Sequence, residues 1–182
     1  AEVLIEAMTR GMTKSRGILA ASESVLRGKG RLGPAISRYH TSKVGEAIMM
    51  KPGMEFTLYG EPIVALPTRH TDPTCVGLKF RTEAGAIGYT SDTQYYDELS
   101  GYLMDSRMVI LNVLRPGDMR IPHHLCTDDA IRIAREVEPE ILVLQHFGLK
   151  MLGIMDKEAK RVEEESGVKT ISASDGLKLE LD

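Results

Sequence analysis

The 182-residue chain contains no tryptophan, and only two cysteines, Cys75 and Cys126. Two thiols do not make a disulfide framework, so a reducing, cytoplasmic setting is expected. No apolar run approaches the roughly 20 residues of a membrane span, which argues against a membrane partner. Charge of one sign is not in excess either. A net charge of -3 gives no overall pull toward nucleic acid or anionic lipid. No glycine-rich loop follows an apolar run, so a nucleotide-binding fold has no support. Internal repeats and low-complexity segments are missing too. The chain does hold 42% hydrophobic residues, enough to pack a core, and its length suits one domain over 1–182. With no indoles and ten methionines, that core is expected to be aliphatic and thioether-rich.

The chain opens directly in helix-like sequence, and no signal peptide is expected ahead of it. Ala1 to Arg10 places Val3, Leu4, Ala7 and Met8 on one helical face, and Gly11 is the expected stop. Gly17 to Ala21 reads as a short buried strand. Leu26 to Lys43 then changes character: Arg27, Lys29, Arg31, Arg38 and Lys43 stand among glycines and a proline with no acid. The plain reading is a solvated loop with one helical turn. The functional reading is a basic flap over an anionic substrate such as a phosphodiester; Tyr39 and His40 lie within it, which leaves stacking on a base open. Glu55 to Tyr59 and Ile63 to Leu66 form a hairpin, and Cys75 to Arg81 and Ala86 to Thr90 extend it into an antiparallel meander. Tyr95 to Gly101 is short and helix-like, and Met108 to Val113 is a buried strand. Asp128 to Val137 is a helix with Thr127 as its N-cap candidate. Ile141 to Gln145 is a strand, and Asp156 to Ser166 a charged helix closed by Gly167. Val168 to Ser172 and Leu177 to Leu181 are expected as closing strands around a turn at Ser174 to Gly176.

Three apolar runs stop at a side chain able to hold a metal. Ile63 to Leu66 leads to His70, Ala86 to Thr90 leads to Asp92, and Ile141 to Leu144 leads to His146. Ligands in open α/β sheets gather at strand ends, and imidazole with carboxylate is a common set for zinc, iron or manganese. Taken singly, each histidine (His40, His70, His123, His124, His146) also reads as an ordinary surface or packing residue, and Asp92 as a turn aspartate. Two adjacent histidines on an extended backbone point apart, so of His123 and His124 only one is assigned to a site. Cys126 is expected to be a small buried residue rather than a thiolate ligand.

Together these residues resemble the second half of a metallo-β-lactamase-fold hydrolase, of the ribonuclease Z-like and phosphodiesterase-like branch. Thr-Arg-His70-Thr-Asp72 resembles the third metal motif of that family. Tyr89-Thr-Ser91-Asp92-Thr93 resembles its bridging-aspartate motif, with Ser91 where glycine is common. His124-Leu-Cys-Thr-x-x-Ala130 resembles the histidine segment that precedes a helix, and it is this match that selects His124. Leu144-Gln145-His146-Phe147 resembles the final histidine motif, with Gln145 in place of threonine.

The resemblance implies an αββα metallo-β-lactamase-like sandwich, class α/β. It implies His70, Asp92 and His146 as metal ligands, Asp92 and His124 as catalytic residues, and two zinc ions in an intact site, with manganese or iron as alternatives. Attack by a metal-bound hydroxide on a small-molecule or RNA phosphodiester follows, and a homodimer by analogy. An ester, lactone or thioester hydrolase on the same site is the competing activity. A non-catalytic module with a decayed site is the competing class. The family signature His-x-His-x-Asp-His is not found in the sequence, so the resemblance implies a missing upstream portion of roughly 60 to 70 residues, about what one half of a layered sandwich needs. With only part of the ligand set, metal is expected to be held weakly by this chain alone, or not at all.

Overall fold

The computed structural model describes residues 1–181. The chain runs through α1 (Glu2–Met8), β1 (Ile18–Ser22), α2 (Glu23–Arg27), α3 (Arg38–Thr41), β2 (Glu46–Met50), β3 (Glu55–Leu58), β4 (Glu61–Pro67), β5 (Val76–Thr82), β6 (Gly85–Tyr89) and α4 (Leu99–Leu103). It continues through β7 (Ser106–Arg115), β8 (Leu125–Cys126), α5 (Thr127–Val137), β9 (Ile141–Gln145), α6 (Met155–Ser166) and β10 (Thr170–Ser172).

The large sheet has the order β10-β9-β7-β6-β5-β4-β3, with β8 paired to the end of β7. From β3 to β6 it is the expected antiparallel meander. From β6 through β7 and β9 to β10 every pairing is parallel, so the sheet is mixed. The helices that connect the parallel strands supply the cover such a sheet needs. Along β7, Val109, Leu111 and Val113 alternate onto the helical face, where they meet Leu99, Leu103, Ile133, Ala134 and Val162 from α4, α5 and α6. Along β4 the same alternation sends Leu66 to that core and Ala65 to the other face. There Ala65 packs with Met50, Val76 and half-buried Ala20 and Phe56. The second layer is the parallel pair β1–β2, and a third cluster of Ile5, Ile36 and Val44 binds α1 and the basic segment to it.

Several sequence expectations are corrected. On α1 the inward residue is Ile5, while Val3 and Leu4 are exposed, because the helix leans only on the small third cluster. The expected strand at Leu177 to Leu181 does not form: β10 is the edge strand of the sheet, but Leu177 and Leu179 stay exposed, so the segment has no apolar face buried to hold it there. The N-cap of α5 is Cys126 rather than Thr127. Its backbone N–H donates to Asp129 Oδ2 at 3.1 Å, and its thiol donates to the same oxygen at 3.2 Å.

Candidate metal centre

Two antiparallel steps separate β4 from β6, so these strands run the same way, and β7 and β9 are parallel to β6. The C-terminal ends of all four therefore share one edge of the sheet. The chain leaves β4 toward His70, leaves β6 toward Asp92 and leaves β9 directly at His146, while Asn112 stands near the end of β7. This is how residues far apart in sequence come to one place.

One donor atom each from His70, Asp92 and His124 lie within 4.8 Å of one another, a spacing that suits a common cation. His70 Nε2 is 3.9 Å from Asp92 Oδ2, and His146 Nε2 is 3.3 Å from Asp92 Oδ1. The carboxylate thus offers one oxygen to each imidazole. The His124 ring lies edge-on to His70, with centroids 5.3 Å apart, and stacks parallel to His146 at 6.4 Å. All four residues named from the sequence come together. His40 does not join them, since it bonds to Ser37 and faces Glu2 and Glu6 in the N-terminal lobe.

The structure adds residues that the sequence reading left out. Asn112 Nδ2 donates to Asp92 Oδ1 at 2.6 Å, and Gln145 Nε2 donates to Asn112 Oδ1 at 2.9 Å. This chain of amides fixes which way the carboxylate faces. Arg69 N–H donates to the buried Thr93 hydroxyl, Gln94 N–H donates to Arg69 carbonyl, and His123 N–H donates to Gln94 Oε1. The three loops are therefore strapped into one rigid rim. On the far side, Asp72 accepts from Ser24 Oγ and Thr74, and its own N–H reaches His70 Nδ1 at 3.4 Å. Gly148 keeps the His146 loop close to β7: its N–H donates to Leu114 carbonyl, and a side chain there would put Cβ 2.7 Å from the same oxygen.

His123 also faces the centre, with its ring centroid 6.5 Å from that of His70. An extended backbone forbids this for adjacent residues, and the backbone is not extended: His123 has φ of 69°. Ser91 (φ 56°) and His146 (φ 59°) are also left-handed. Three such non-glycine residues on one rim store strain where the ligands are aimed. Ser91 explains its own place in the motif, because the position demands the conformation that glycine adopts most readily.

Burial is the main cause that pushes the His70 imidazole below its usual 6.5; the Asp92 carboxylate opposes it, and His124 and His123 reinforce it. The imidazole is therefore favoured in its neutral form, the form a metal ligand takes. Nδ1 of His123 is buried without a hydrogen-bond partner among the described residues, a polar atom that the hydration shell of a bound cation would satisfy. The donor set fits a divalent ion on both counts. Cys126, fully buried in the capping box, has its thiol pushed up to about 11 by burial and stands apart from this chemistry.

A family model described as the beta-lactamase superfamily domain matches residues 5–147. The chain belongs to the beta-lactamase superfamily. An uncharacterized protein of Methanocaldococcus jannaschii is 39% identical over 182 residues, covering 99% of this chain and 68% of the relative. Among solved structures, the metallo-beta-lactamase fold protein YhfI from Bacillus subtilis superposes with a TM-score of 0.75 at 18% identity, covering 96% of this chain and 69% of that one. A diphosphatase of the PhnP family gives 0.67 at 20% identity, over 95% and 62%. Zinc-bound PqqB from Methylobacterium extorquens gives 0.72 at 14%, over 96% and 68%. At these identities the likeness speaks for the fold. The superfamily membership and the metallo-beta-lactamase fold agree with the resemblance read from the motifs. No helix among the described residues is long and apolar enough to cross a membrane.

Proposed function

We propose that this superfamily member is a metal-dependent hydrolase of phosphodiesters. The observation that carries the reading is the convergence of His70, Asp92 and His124 within 4.8 Å, with His146 on the second oxygen of the same carboxylate. His70, Asp92 and a second imidazole would hold the ion, zinc by the nitrogen-rich donor set, with manganese or iron as alternatives. A bound divalent cation lowers the pKa of a coordinated water toward about 7, and so supplies a nucleophile at neutral pH. Asp92, aimed by Asn112, would hold the ion and orient the attacking water. His124 Nδ1 lies 3.1 Å from Pro122 carbonyl, so its proton sits on Nδ1 and donates there. Its Nε2 is left to carry the proton handed to the leaving oxygen. The basic segment Leu26 to Lys43, with five cations and no carboxylate, supports a phosphorus over a carbon centre, since an anionic diester is the substrate such a segment would attract.

The test is turnover of bis-p-nitrophenyl phosphate with added zinc or manganese. Activity is expected, and Asp92→Ala is expected to abolish it. Hydrolysis of p-nitrophenyl acetate without any diester turnover would move the reaction to a carbon centre, and no turnover of either would mark a non-catalytic module. His124→Ala is expected to retain zinc while losing about 10²–10⁴-fold in rate on a diester with a poor leaving group, as removal of a general acid does. Loss of zinc in the same variant would make His124 a ligand instead. The reading extends to a cytoplasmic setting, in keeping with two free thiols. It extends also to a homodimer, which sedimentation would reveal.

A further inference from the structure

Most of the molecule is mildly acidic, but residues 24–45 are not. They hold Arg27, Lys29, Arg31, Arg38 and Lys43 and no carboxylate, within a chain whose net charge is -3. The fold gathers part of this charge at one place. Arg27, the last residue of α2, and Arg38, the first of α3, line a cleft of about 430 Å³ together with Leu26, Thr41 and Ser42. Neither guanidinium has a carboxylate partner among the described residues, whereas Lys29 is paired with Glu23 at 2.9 Å. The Thr41 hydroxyl is buried there with no hydrogen-bond partner. Two unpaired guanidinium groups and an unsatisfied hydroxyl make a site for an oxyanion with several acceptor oxygens, which is the chemistry of phosphate.

Next to Arg38 on the same helical turn, Tyr39 is 58% exposed, edge-on to His40 and with Lys43 Nζ 5.1 Å from its ring centroid. An exposed aromatic beside cations is the platform on which a nucleobase stacks. The cleft is also mechanically tied to the metal centre. Ser24 donates to Asp72 and accepts from Thr74, and Arg27 lies one turn further along α2, about 5–6 Å away.

We propose that Arg27, Arg38, Thr41 and Tyr39 form a subsite for a neighbouring nucleotide of a single-stranded nucleic acid whose scissile phosphate lies at the metal centre. Arg27 and Arg38 take a phosphate of the strand, Thr41 donates to the same group, and Tyr39 stacks on the attached base. This rests on the phosphodiester reading for the direction of the strand, but its test does not depend on turnover.

The experiment is fluorescence anisotropy of a labelled single-stranded RNA of about ten nucleotides on the full chain, in chelator so that no cleavage occurs. Because the slope of log K against log salt is about -0.7 per phosphate neutralised in a single strand, and the two guanidinium groups share one phosphate, Arg27→Ala with Arg38→Ala is expected to make it shallower by about 0.7. The same double variant is expected to lose at least tenfold in affinity at low salt while keeping the wild-type melting temperature. Arg27→Lys with Arg38→Lys keeps both charges and is expected to keep the slope. Tyr39→Ala is expected to lose about fivefold or more in affinity with no change of slope, as loss of one stacked base does. Wild-type affinity and slope in the alanine double variant would overturn the subsite. So would a polyphosphate chain that binds as tightly as the RNA, since that is an anion site without base recognition. Intact RNA binding with no diester turnover would leave the subsite standing and sink the hydrolase reading; the converse would sink the subsite alone.

Discussion

Asn112 Nδ2 donates to Asp92 Oδ1 at 2.6 Å, and Asn112 is itself held by Gln145 from the adjacent parallel strand. The bond decides which oxygen of Asp92 faces His146 and which faces His70. Partners that orient a metal ligand are typically worth about 10–100-fold in metal affinity. Asn112→Ala is therefore expected to weaken zinc by that factor, read by competition with a chromogenic chelator, while Asn112→Asp repels Asp92 and does more harm. An unchanged affinity in Asn112→Ala would mean that the carboxylate is aimed by something else.

Ser91 pays a conformational cost at φ 56° that glycine escapes. Ser91→Gly is expected to be neutral or to stabilise the fold by up to about 1 kcal/mol. Ser91→Val adds a β-branched side chain in the left-handed region and is expected to cost about 1–2 kcal/mol more than serine. Denaturant midpoints of the two variants check the order. Equal stability would show that the loop relaxes out of the left-handed region.

Glu136 ties α4 to α5, and its response to acid has a definite sign. Burial raises its pKa, but hydrogen bonds from Ser100, Arg132 and Tyr95 outweigh burial and hold the carboxyl below its usual 4.5. A carboxyl depressed in the folded state stabilises the fold fully above about 4.5 and loses that contribution as pH falls through the folded value. Stability is thus expected to fall with acid, and Glu136→Gln is expected to flatten the fall in this window. Denaturation curves between pH 6 and pH 3 (about the range of acid linkage) measure it, and a parallel loss in both proteins would contradict the assignment.

Much of this was legible in the residues. The runs leading to His70, Asp92 and His146 were visible because a metal-capable residue stands within three residues of the end of each apolar strand. The helix from Thr127 carried both its acidic first turn and its apolar stripe. Strand β2 was not visible: Glu-Ala-Ile-Met-Met has no strong β preference and becomes a strand only by parallel pairing with β1, a contact that local pattern does not encode. Strand β8 is two residues long and exists only through its register with Val113 and Arg115. Asn112 lay inside an apolar run, and only the register that sets it opposite Gln145 gives it a task. The turn at His123 was hidden because nothing in His-His announces a positive φ. Leu177 to Leu181 had the alternation of a strand, but its leucines Leu177 and Leu179 stay exposed and no strand forms.

The central claim is that His70, Asp92 and their neighbouring imidazoles hold a metal ion. Calorimetric titration of the metal-free chain with zinc tests it most directly, alongside His70→Ala. Three protein ligands suffice for one catalytic zinc. The account predicts one zinc bound per chain, with a rise in melting temperature that His70→Ala removes. No zinc uptake by the wild-type chain, two tightly held ions, or one ion bound equally well by His70→Ala would contradict it.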